Sequence, residues 1–126
     1  MIAANTGQAD GTFSLRFTTV NNSGMLFRFQ DTGNYWMIGV NAGVYKLYKN
    51  VAGGFTTVGT SAVVPVAGDL ISVVLSGSSI TGKVNGVTVA ALTTTDTFLQ
   101  TATSYGAWVG GSSAQTALFD NFDHRA

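Results

Sequence analysis

The chain contains no cysteine and no glutamate, has one proline and one histidine, and only 10% of its 126 residues are charged. The absence of cysteine excludes a disulfide framework, a thiolate nucleophile and a thiolate-bound zinc site. Six Lys and Arg residues balance six Asp residues, so the formal net charge is zero. A neutral chain lacks the basic surface that binds a nucleic-acid backbone or an anionic membrane, and we expect neither partner.

Long hydrophobic runs are also absent. The most apolar stretch, Ser61 to Leu75, is interrupted by Pro65, Gly68 and Asp69 and is shorter than the roughly 20 residues that a membrane-spanning helix needs. Apolar residues nevertheless make up 45% of the chain, which is enough for one domain with its own core. We therefore expect a single domain over residues 1–126 with no membrane-inserted segment.

The residue types that are abundant favour β structure. Sixteen Gly, seventeen Thr and fourteen Val residues occur, and Thr and Val suit a pleated surface because their χ1 angles are stiff. Apolar and polar residues alternate between Gly or Asn turn signals, which indicates about ten short strands of a sandwich or a barrel. The predicted strands are Gly11–Val20, Gly24–Asp31, Asn34–Asn41, Gly43–Asn50, Phe55–Gly59, Asp69–Ser76, Ser79–Val84, Val87–Leu92, Tyr105–Gly110 and Ala117–His124.

Turn residues fix the register of the predicted hairpins. Asn85-Gly86 is the strongest turn signal, because a type I′ turn requires positive φ at both central residues. It pairs Val84 with Val87 and Ile80 with Ala91, and we expect that apolar row to face inward.

The segment from residue 24 to residue 50 is predicted to form three strands joined by turns at residues 31–34 and 42–43. The first turn places Phe29 opposite Trp36, and the second places Trp36 opposite Lys49. A one-residue slip of the second pairing would bury Lys46 and expose Leu47, so the cost of burying a charge excludes it. We expect the core face to hold Met25, Phe27, Phe29, Trp36, Ile38, Val40, Tyr45 and Leu47.

The opposite face of these three strands is predicted to be a mixed surface, too apolar for an ordinary solvated face and too polar for a sealed core. Aromatic rings there can cover the apolar faces of sugars while Arg, Lys and Gln hydrogen-bond to hydroxyls. The same surface would also suit burial against another subunit, or a solvated face with side-chain stems lying on the sheet. The candidate ligand-binding residues are Arg28, Gln30, Tyr35, Met37, Lys46 and Tyr48.

Four motifs follow one another over nearly the whole chain: GMLFRFQDTGNYWMIGV, GVYKLYKNVAGG, ITGKVNGVTV and FDNF. In this order they resemble the concanavalin A-like lectin and glucanase superfamily, in its laminin G-like branch. The resemblance implies an antiparallel jelly-roll β-sandwich with one concave sheet that often binds glycans. Family members usually carry further N-terminal strands before the stretch matching Gly7 to Thr19. We therefore expect the chain to lack the family's first strands, or a neighbouring chain to complete the sheet.

The carboxylates do not favour catalysis. Glycoside hydrolases of this superfamily use a pair of Glu residues, and this chain has none. Its Asp residues lie mostly at turns or strand ends, where Asx turns explain them. Asp120 and Asp123 are an odd number of residues apart on a strand, so we expect their side chains to point to opposite faces. The prediction is a protein without catalytic residues.

Calcium is the metal that would best fit the oxygen-bearing turns of this chain. Asp31, Thr32, Asn34 and Asp120 offer hard oxygen ligands. A Ca²⁺ site needs about 6–8 oxygens, however, and the carboxylates here are isolated. The residues therefore favour turn hydrogen bonding, and we expect no metal or cofactor.

The residues and the resemblance together favour a non-enzymatic carbohydrate-binding module that recognises a surface glycan on a concave sheet. Such modules belong to secreted enzymes, adhesins and bacteriophage tail or virion proteins, so we expect an extracellular or virion location. The rival hypothesis is a structural or decorating module that self-associates or docks onto a larger virion assembly without binding sugar. Both hypotheses are compatible with a homo-oligomer, or with a partner subunit that completes the N-terminal sheet edge.

Overall fold

The computed structural model describes residues 2–17, 23–109 and 119–125, but not the side chains of Ile2, Val109 and residues 119–125. These ranges form twelve strands and one short 3₁₀ helix, Ala90–Leu92, and none of their helical segments is long and apolar enough to cross a bilayer. The strands are β1 (Ile2–Asn5), β2 (Gly11–Phe17), β3 (Ser23–Asp31), β4 (Asn34–Asn41), β5 (Val44–Val51), β6 (Gly54–Thr60), β7 (Leu70–Ser76), β8 (Ser79–Val84), β9 (Val87–Thr88), β10 (Thr94–Thr95), β11 (Ser104–Val109) and β12 (Phe119–Arg125).

The strands form two antiparallel sheets packed face to face, which confirms the predicted all-β jelly-roll sandwich. Sheet A has six strands in the order β1-β11-β3-β4-β5-β6. Sheet B has the order β10-β8-β7-β2-β12, and β9 pairs with β8 beside this path. β1 was not predicted from the sequence; it pairs with β11 and forms one edge of sheet A.

Three tight turns set the register of the hairpins. Ala42-Gly43 has φ values of 54° and 77°, and Asn85-Gly86 has 52° and 82°. Positive φ at both positions is what a type I′ turn requires, and its twist matches that of the strands it joins. Ala52-Gly53, with 51° and 86°, links β5 to β6 in the same way.

The core lies between the two sheets and is built from alternate residues of each strand. Aromatic contacts cross it: the ring centroids of Phe13 and Tyr105 are 4.9 Å apart, and those of Phe17 and Tyr45 are 6.0 Å apart. Trp36 is fully buried, as predicted, and its indole N–H donates to the Phe98 carbonyl at 2.9 Å. The buried apolar side chains of the core include Phe13, Leu15, Phe17, Met25, Phe27, Trp36, Ile38, Tyr45, Leu47, Ile71, Val73, Leu75, Ile80, Leu92 and Tyr105.

A buried polar network joins the sheets at Asp69. Its Oδ2 accepts hydrogen bonds from the Tyr45 hydroxyl at 2.7 Å and the Val66 N–H at 2.9 Å, and its Oδ1 accepts one from the Asn85 amide at 2.9 Å. Burial opposes ionisation of Asp69, but these donors favour the carboxylate, and the pKa of Asp69 lies below its ordinary value. Burial and the same carboxylate raise the pKa of the Tyr45 hydroxyl.

The predicted register of β4 with β5 is confirmed, whereas that of β3 with β4 is wrong. Ile38 pairs with Leu47 as expected. Trp36 pairs with Phe27 rather than Phe29, because the β3–β4 pairing shifts between Phe27 and Asp31. Arg28, at φ 46°, lies inside this irregular stretch. The shift moves Phe29 away from the core and turns Arg28 out of the predicted outer surface.

The predicted strand Val87–Leu92 is also wrong beyond its second residue. The 3₁₀ helix that follows β9 packs over Gly82, where an added Cβ atom would lie 2.5 Å from the Leu92 Cβ. Leu92 is fully buried, and Val87 is 67% exposed rather than facing inward. Where the chain leaves the sheet, Leu92 fills the core beside this glycine.

Candidate functional site

Sheet A carries a second set of apolar side chains on the face that points away from the core. The core side chains of β3 are Met25 and Phe27, so Leu26 between them projects to the other side. Leu26 is nevertheless fully buried, which is unusual for the outer face of a sandwich. The outer-face cluster consists of Leu26, Tyr35 and Met37, which are buried, and Phe29, Tyr48 and Trp108, which pack against them.

A row of four paired residues crosses sheet A on this face. Trp108 of β11 pairs with Gly24 of β3, and Gly24 pairs with Gly39 of β4. Gly39 in turn pairs with Lys46 of β5. Because neighbouring strands lie about 4.8 Å apart, the row spans roughly 14 Å between the Trp108 and Lys46 backbones. The glycines in the middle have no side chains, so the row has an aromatic residue at one end and an ammonium group at the other.

The side chain of Met37 lies across these two glycines. An added Cβ atom on Gly24 would overlap the Met37 Sδ atom, and one on Gly39 would lie 3.3 Å from Met37 Cε. Glycine at both positions therefore lets the thioether lie flat on the sheet beside Trp108. A methionine in this position gives the surface an apolar floor that adapts to irregular shapes.

Stacked and edge-on aromatic rings extend the surface toward β6. Tyr35 stacks on Phe29 with 5.6 Å between ring centroids, and Phe55 meets the edges of Tyr35 at 6.0 Å and Tyr48 at 5.9 Å. Phe55 is 56% exposed, so the aromatic surface is open to solvent at this end.

A cleft of about 270 Å³ opens within this surface, lined by Met37, Val40, Asn41, Tyr48, Phe55 and Trp108. Polar groups stand at its rim: the Lys46 ammonium lies 3.4 Å from Asn41 Oδ1. Within the described ranges Lys46 makes no ion pair. Burial raises the pKa of the Tyr48 hydroxyl, which therefore stays protonated and able to donate a hydrogen bond. The cleft combines aromatic walls with hydrogen-bonding groups at one side.

Four of the six residues predicted for ligand binding lie together on this face. Met37 pairs with Tyr48 across β4 and β5, Lys46 projects to the same side, and Tyr35 belongs to the same cluster. The sequence predicts the β4–β5 register correctly, and this register brings Met37, Lys46 and Tyr48 to one face. Their contact with a ligand remains a prediction.

The other two predicted residues lie elsewhere. Arg28 is fully buried, and its guanidinium contacts Asp10 at 3.3 Å, away from the outer-face cluster. Its predicted place on the outer surface is wrong, because the irregularity in β3 reverses the direction of its side chain. Gln30 is exposed beside the β3–β4 turn, where its amide lies 3.4 Å from Asp31 Oδ2.

The sequence reasoning missed Trp108 and Phe55 as members of this surface. The sequence carries a partial signal for each of them, namely the side of its strand on which it lies, but not the neighbouring strand. Trp108 is three residues after the core residue Tyr105, an odd spacing that places it on the opposite face of β11. Phe55 follows the Ala52-Gly53 turn and pairs with Asn50, which itself pairs with Tyr35.

The turn considered for calcium uses its oxygens for hydrogen bonding. Asp31 Oδ1 accepts the Gly33 N–H at 2.8 Å and the Asn34 amide at 2.9 Å, and Asn34 Oδ1 accepts the Ala52 N–H at 3.0 Å. The hydrogen bonds that Asp31 accepts hold its pKa below the ordinary value, the one from the Asn34 side chain most of all. The part of the chain that the structure describes contains no group of three His, Cys, Asp or Glu side chains able to share a metal ion. The side chains of Asp120 and Asp123 lie outside that part.

Comparison with known proteins finds similar folds among solved structures. No protein-family model matches it, and no curated protein matches its sequence. Among solved structures it is similar to the carbohydrate-binding module CBM66 from Bacillus subtilis, with a TM-score of 0.72, 14% identity, and coverage of 99% of this chain and 78% of that one. It is also similar to a tetrameric galectin from the ball sponge Cinachyrella sp., with a TM-score of 0.73, 14% identity and 99% coverage of both chains. At this identity the likeness establishes the β-sandwich fold.

Proposed function

We propose that the chain is a non-enzymatic carbohydrate-binding module that recognises a surface glycan on the outer face of sheet A. The outer-face cluster carries this proposal, because it places aromatic and thioether side chains on a sheet face that normally contacts water. Apolar patches with a polar rim mark interaction sites on protein surfaces. A surface with both kinds of group suits a sugar, which presents apolar C–H faces and hydroxyls together.

Each group of the site has a distinct role in this proposal. The rings of Trp108 and Tyr48 pack against C–H faces, while Lys46 and Asn41 hydrogen-bond to hydroxyls at the rim. Tyr35 lies beneath them and supports Phe55. The cleft of about 270 Å³ is slightly smaller than the ~300–1,000 Å³ of typical small-molecule pockets, which suits a terminal sugar or a short glycan segment.

The described carboxylates support binding without catalysis, since each has a structural partner. Asp10 pairs with a buried guanidinium, Asp31 closes a turn, Asp69 joins the sheets, and Asp96 pairs with Lys49 at 2.7 Å. Hydrolysis of a glycosidic bond needs two carboxyl groups that face each other across it. None of these four contacts another carboxylate.

The fold neighbours and the composition support the setting of this function. One similar structure is a carbohydrate-binding module and the other is a galectin. We propose that the module acts outside the cell, as part of a secreted protein or a virion, where it can contact surface glycans. A composition without Glu, poor in Lys and rich in Gly, Thr and Ala is also typical of bacteriophage structural proteins.

Glycan-array screening followed by calorimetry on the best binder tests the proposal. Trp108→Ala and Tyr48→Ala should each weaken binding at least about 10-fold, which corresponds to about 1.4 kcal/mol. Val87→Thr is the matched control, because Val87 is an exposed apolar residue of sheet B, and it should leave binding unchanged. If all three variants bind the glycan equally well, the proposed site is wrong. If no glycan on the array binds the wild-type chain, the proposed function is wrong.

A second candidate function, self-association without sugar binding, is favoured by β6. This seven-residue strand forms the edge of sheet A opposite β1 and contains no charged residue and no proline. Charge and proline are the usual means by which sheet edges avoid pairing with other strands. Light scattering that shows a stable oligomer, combined with the absence of any bound glycan, would favour this candidate. A Thr57→Lys variant should then be monomeric.

A further inference from the structure

Arg28 combines burial with an unusual backbone conformation. Its φ is 46°, in the left-handed region that L-residues adopt at a steric cost, and its side chain is 0% exposed. Burial lowers the pKa of the guanidinium, although the nearby Tyr105 and Asp10 partly offset this effect. Strained backbone and buried charge are both unfavourable, and proteins concentrate such features at functional sites.

The guanidinium is only partly satisfied within the described structure. Its Nη2 lies 3.3 Å from Asp10 Oδ1 and 3.5 Å from the Ala9 carbonyl, while Nε and Nη1 are buried with no hydrogen-bond partner. The Tyr105 hydroxyl, beside it, reaches the Gln8 carbonyl at 2.7 Å and the Ala9 carbonyl at 3.0 Å. The two core side chains together hold the segment between β1 and β2 in place.

This arrangement fixes the orientation of the Asp10 carboxylate. Its Oδ1 accepts from Arg28 and from the Gly77 N–H at 3.1 Å. The side chain is 61% exposed, and no hydrogen bond to its Oδ2 is seen in the described ranges. Asp10 Oδ1 is thus held by two hydrogen bonds, and Asp10 Oδ2 is available to solvent or to a ligand.

The Asp10 side chain stands in the wall of an open cleft of about 530 Å³, separate from the outer-face cluster. The other polar side chains of its lining are those of Gln8, Gln100 and Thr101, and Gly77 adds its backbone. Two amides, one hydroxyl and one carboxylate provide both hydrogen-bond donors and acceptors. The charge of Asp10 is matched by that of Arg28, so the cleft favours neither a cation nor an anion.

We propose that this cleft is a second ligand site, which binds adjacent hydroxyl groups of a neutral sugar through Asp10 Oδ2 and the amides of Gln8 and Gln100. Arg28 is a positioning residue that orients the carboxylate without touching the ligand. The proposal does not depend on the outer-face cluster, because the two surfaces share no residue.

Amide NMR titration of the wild-type chain with methyl α-D-mannopyranoside and methyl β-D-galactopyranoside tests the proposal; each sugar is added to about 10 mM, which detects binding with a Kd of about 1 mM, or about −4.1 kcal/mol. We expect the Gly77 amide and the side-chain amides of Gln8 and Gln100 to shift with at least one of them. Asp10→Asn should abolish the shifts; its asparagine oxygen can still accept from Arg28, but the buried guanidinium then lacks its counter-charge, so the variant should fold with a lowered melting temperature.

Two further variants separate a ligand site from a merely structural anchor. Gln100→Ala removes one proposed donor and should weaken the shifts at Gly77 several-fold, while Asp31→Asn, another exposed turn residue, should leave them unchanged. Unshifted cleft amides with both sugars, or shifts that persist in Asp10→Asn, would overturn the proposal. Shifts confined to Trp108 and its neighbours would overturn it too, while leaving the proposed function of sheet A intact.

Discussion

Replacing Asp69 with asparagine tests the network that joins the two sheets. All three partners of this carboxylate, the Tyr45 hydroxyl, the Val66 N–H and the Asn85 amide, are hydrogen-bond donors. An asparagine amide in either orientation would turn a donor of its own toward one of them. Asn85 cannot rotate to compensate, because its Oδ1 already accepts the Leu70 N–H at 2.8 Å. In the orientation that keeps the Tyr45 and Val66 bonds, the substitution therefore turns one donor against another at Asn85, an exposed residue, and the bond to Asn85 is lost.

The size of the loss follows from these contacts. A hydrogen bond to a charged group contributes about 1.5–3 kcal/mol, and one between neutral groups about 0.5–1.5 kcal/mol. The variant weakens two bonds and loses the third, but it no longer buries a charge. We expect the free energy of unfolding to fall by about 2–4 kcal/mol, or roughly 6–16 °C in melting temperature for a domain of this size.

The loss should also depend on pH. Because hydrogen bonds hold the pKa of Asp69 below its ordinary value, its ionised form stabilises the fold above about pH 4, and this stabilisation is lost as the pH falls through the folded-state pKa. Urea unfolding followed by tryptophan fluorescence should show the full difference between wild type and Asp69→Asn near pH 7 and a smaller one below about pH 4. A difference below about 0.5 kcal/mol near pH 7, or one that does not change with pH, would refute the reasoning.

Three further predictions follow from single contacts. Gly59→Ala should destabilise the fold by about 1–3 kcal/mol in thermal unfolding, because its Cβ atom would overlap the Ala91 carbonyl; an unchanged melting temperature would contradict the close packing. Leu47→Ala should cost about 2–5 kcal/mol by opening a core cavity, and a smaller loss would mean that the sheets collapse to fill it. Burial raises the pKa of Tyr105 to about 12, so the wild type should lose stability between about pH 10 and 12. Tyr105→Phe should lose less over the same range, and an identical alkaline profile would count against this burial.

The register of β4 with β5 could be predicted because the Ala42-Gly43 turn admits one pairing that keeps Lys46 out of the core. The β3–β4 register could not be predicted in the same way. Asp31 and Asn34 pair at the turn, as the sequence predicts. The strand pairing next to this turn is irregular, however, and the irregular stretch of β3 is centred on Arg28. No glycine or asparagine in that stretch signals a left-handed backbone, and the Arg28 side chain contacts Asp10, which is far from it in sequence.

The candidate site was predictable to a similar extent. Turn chemistry and alternation brought Tyr35, Met37, Lys46 and Tyr48 to one face, and the structure agrees with that grouping. The contribution of Trp108 depends on a pairing between β11 and β3, which are far apart in sequence. Local patterns do not specify which distant strands become neighbours. The place of Trp108 in this surface could therefore be identified only from the fold.

The central claim, that the outer face of sheet A binds a glycan, is tested most directly through the chain's two tryptophans. Trp36 is buried with its indole N–H bonded to the Phe98 carbonyl, whereas Trp108 lies in the outer-face cluster. Indole N–H resonances should be followed by NMR while the best glycan from the array is added. We predict that the Trp108 resonance shifts to saturation while that of Trp36 stays in place. A glycan that binds at saturation and leaves the Trp108 resonance unmoved would contradict the claim.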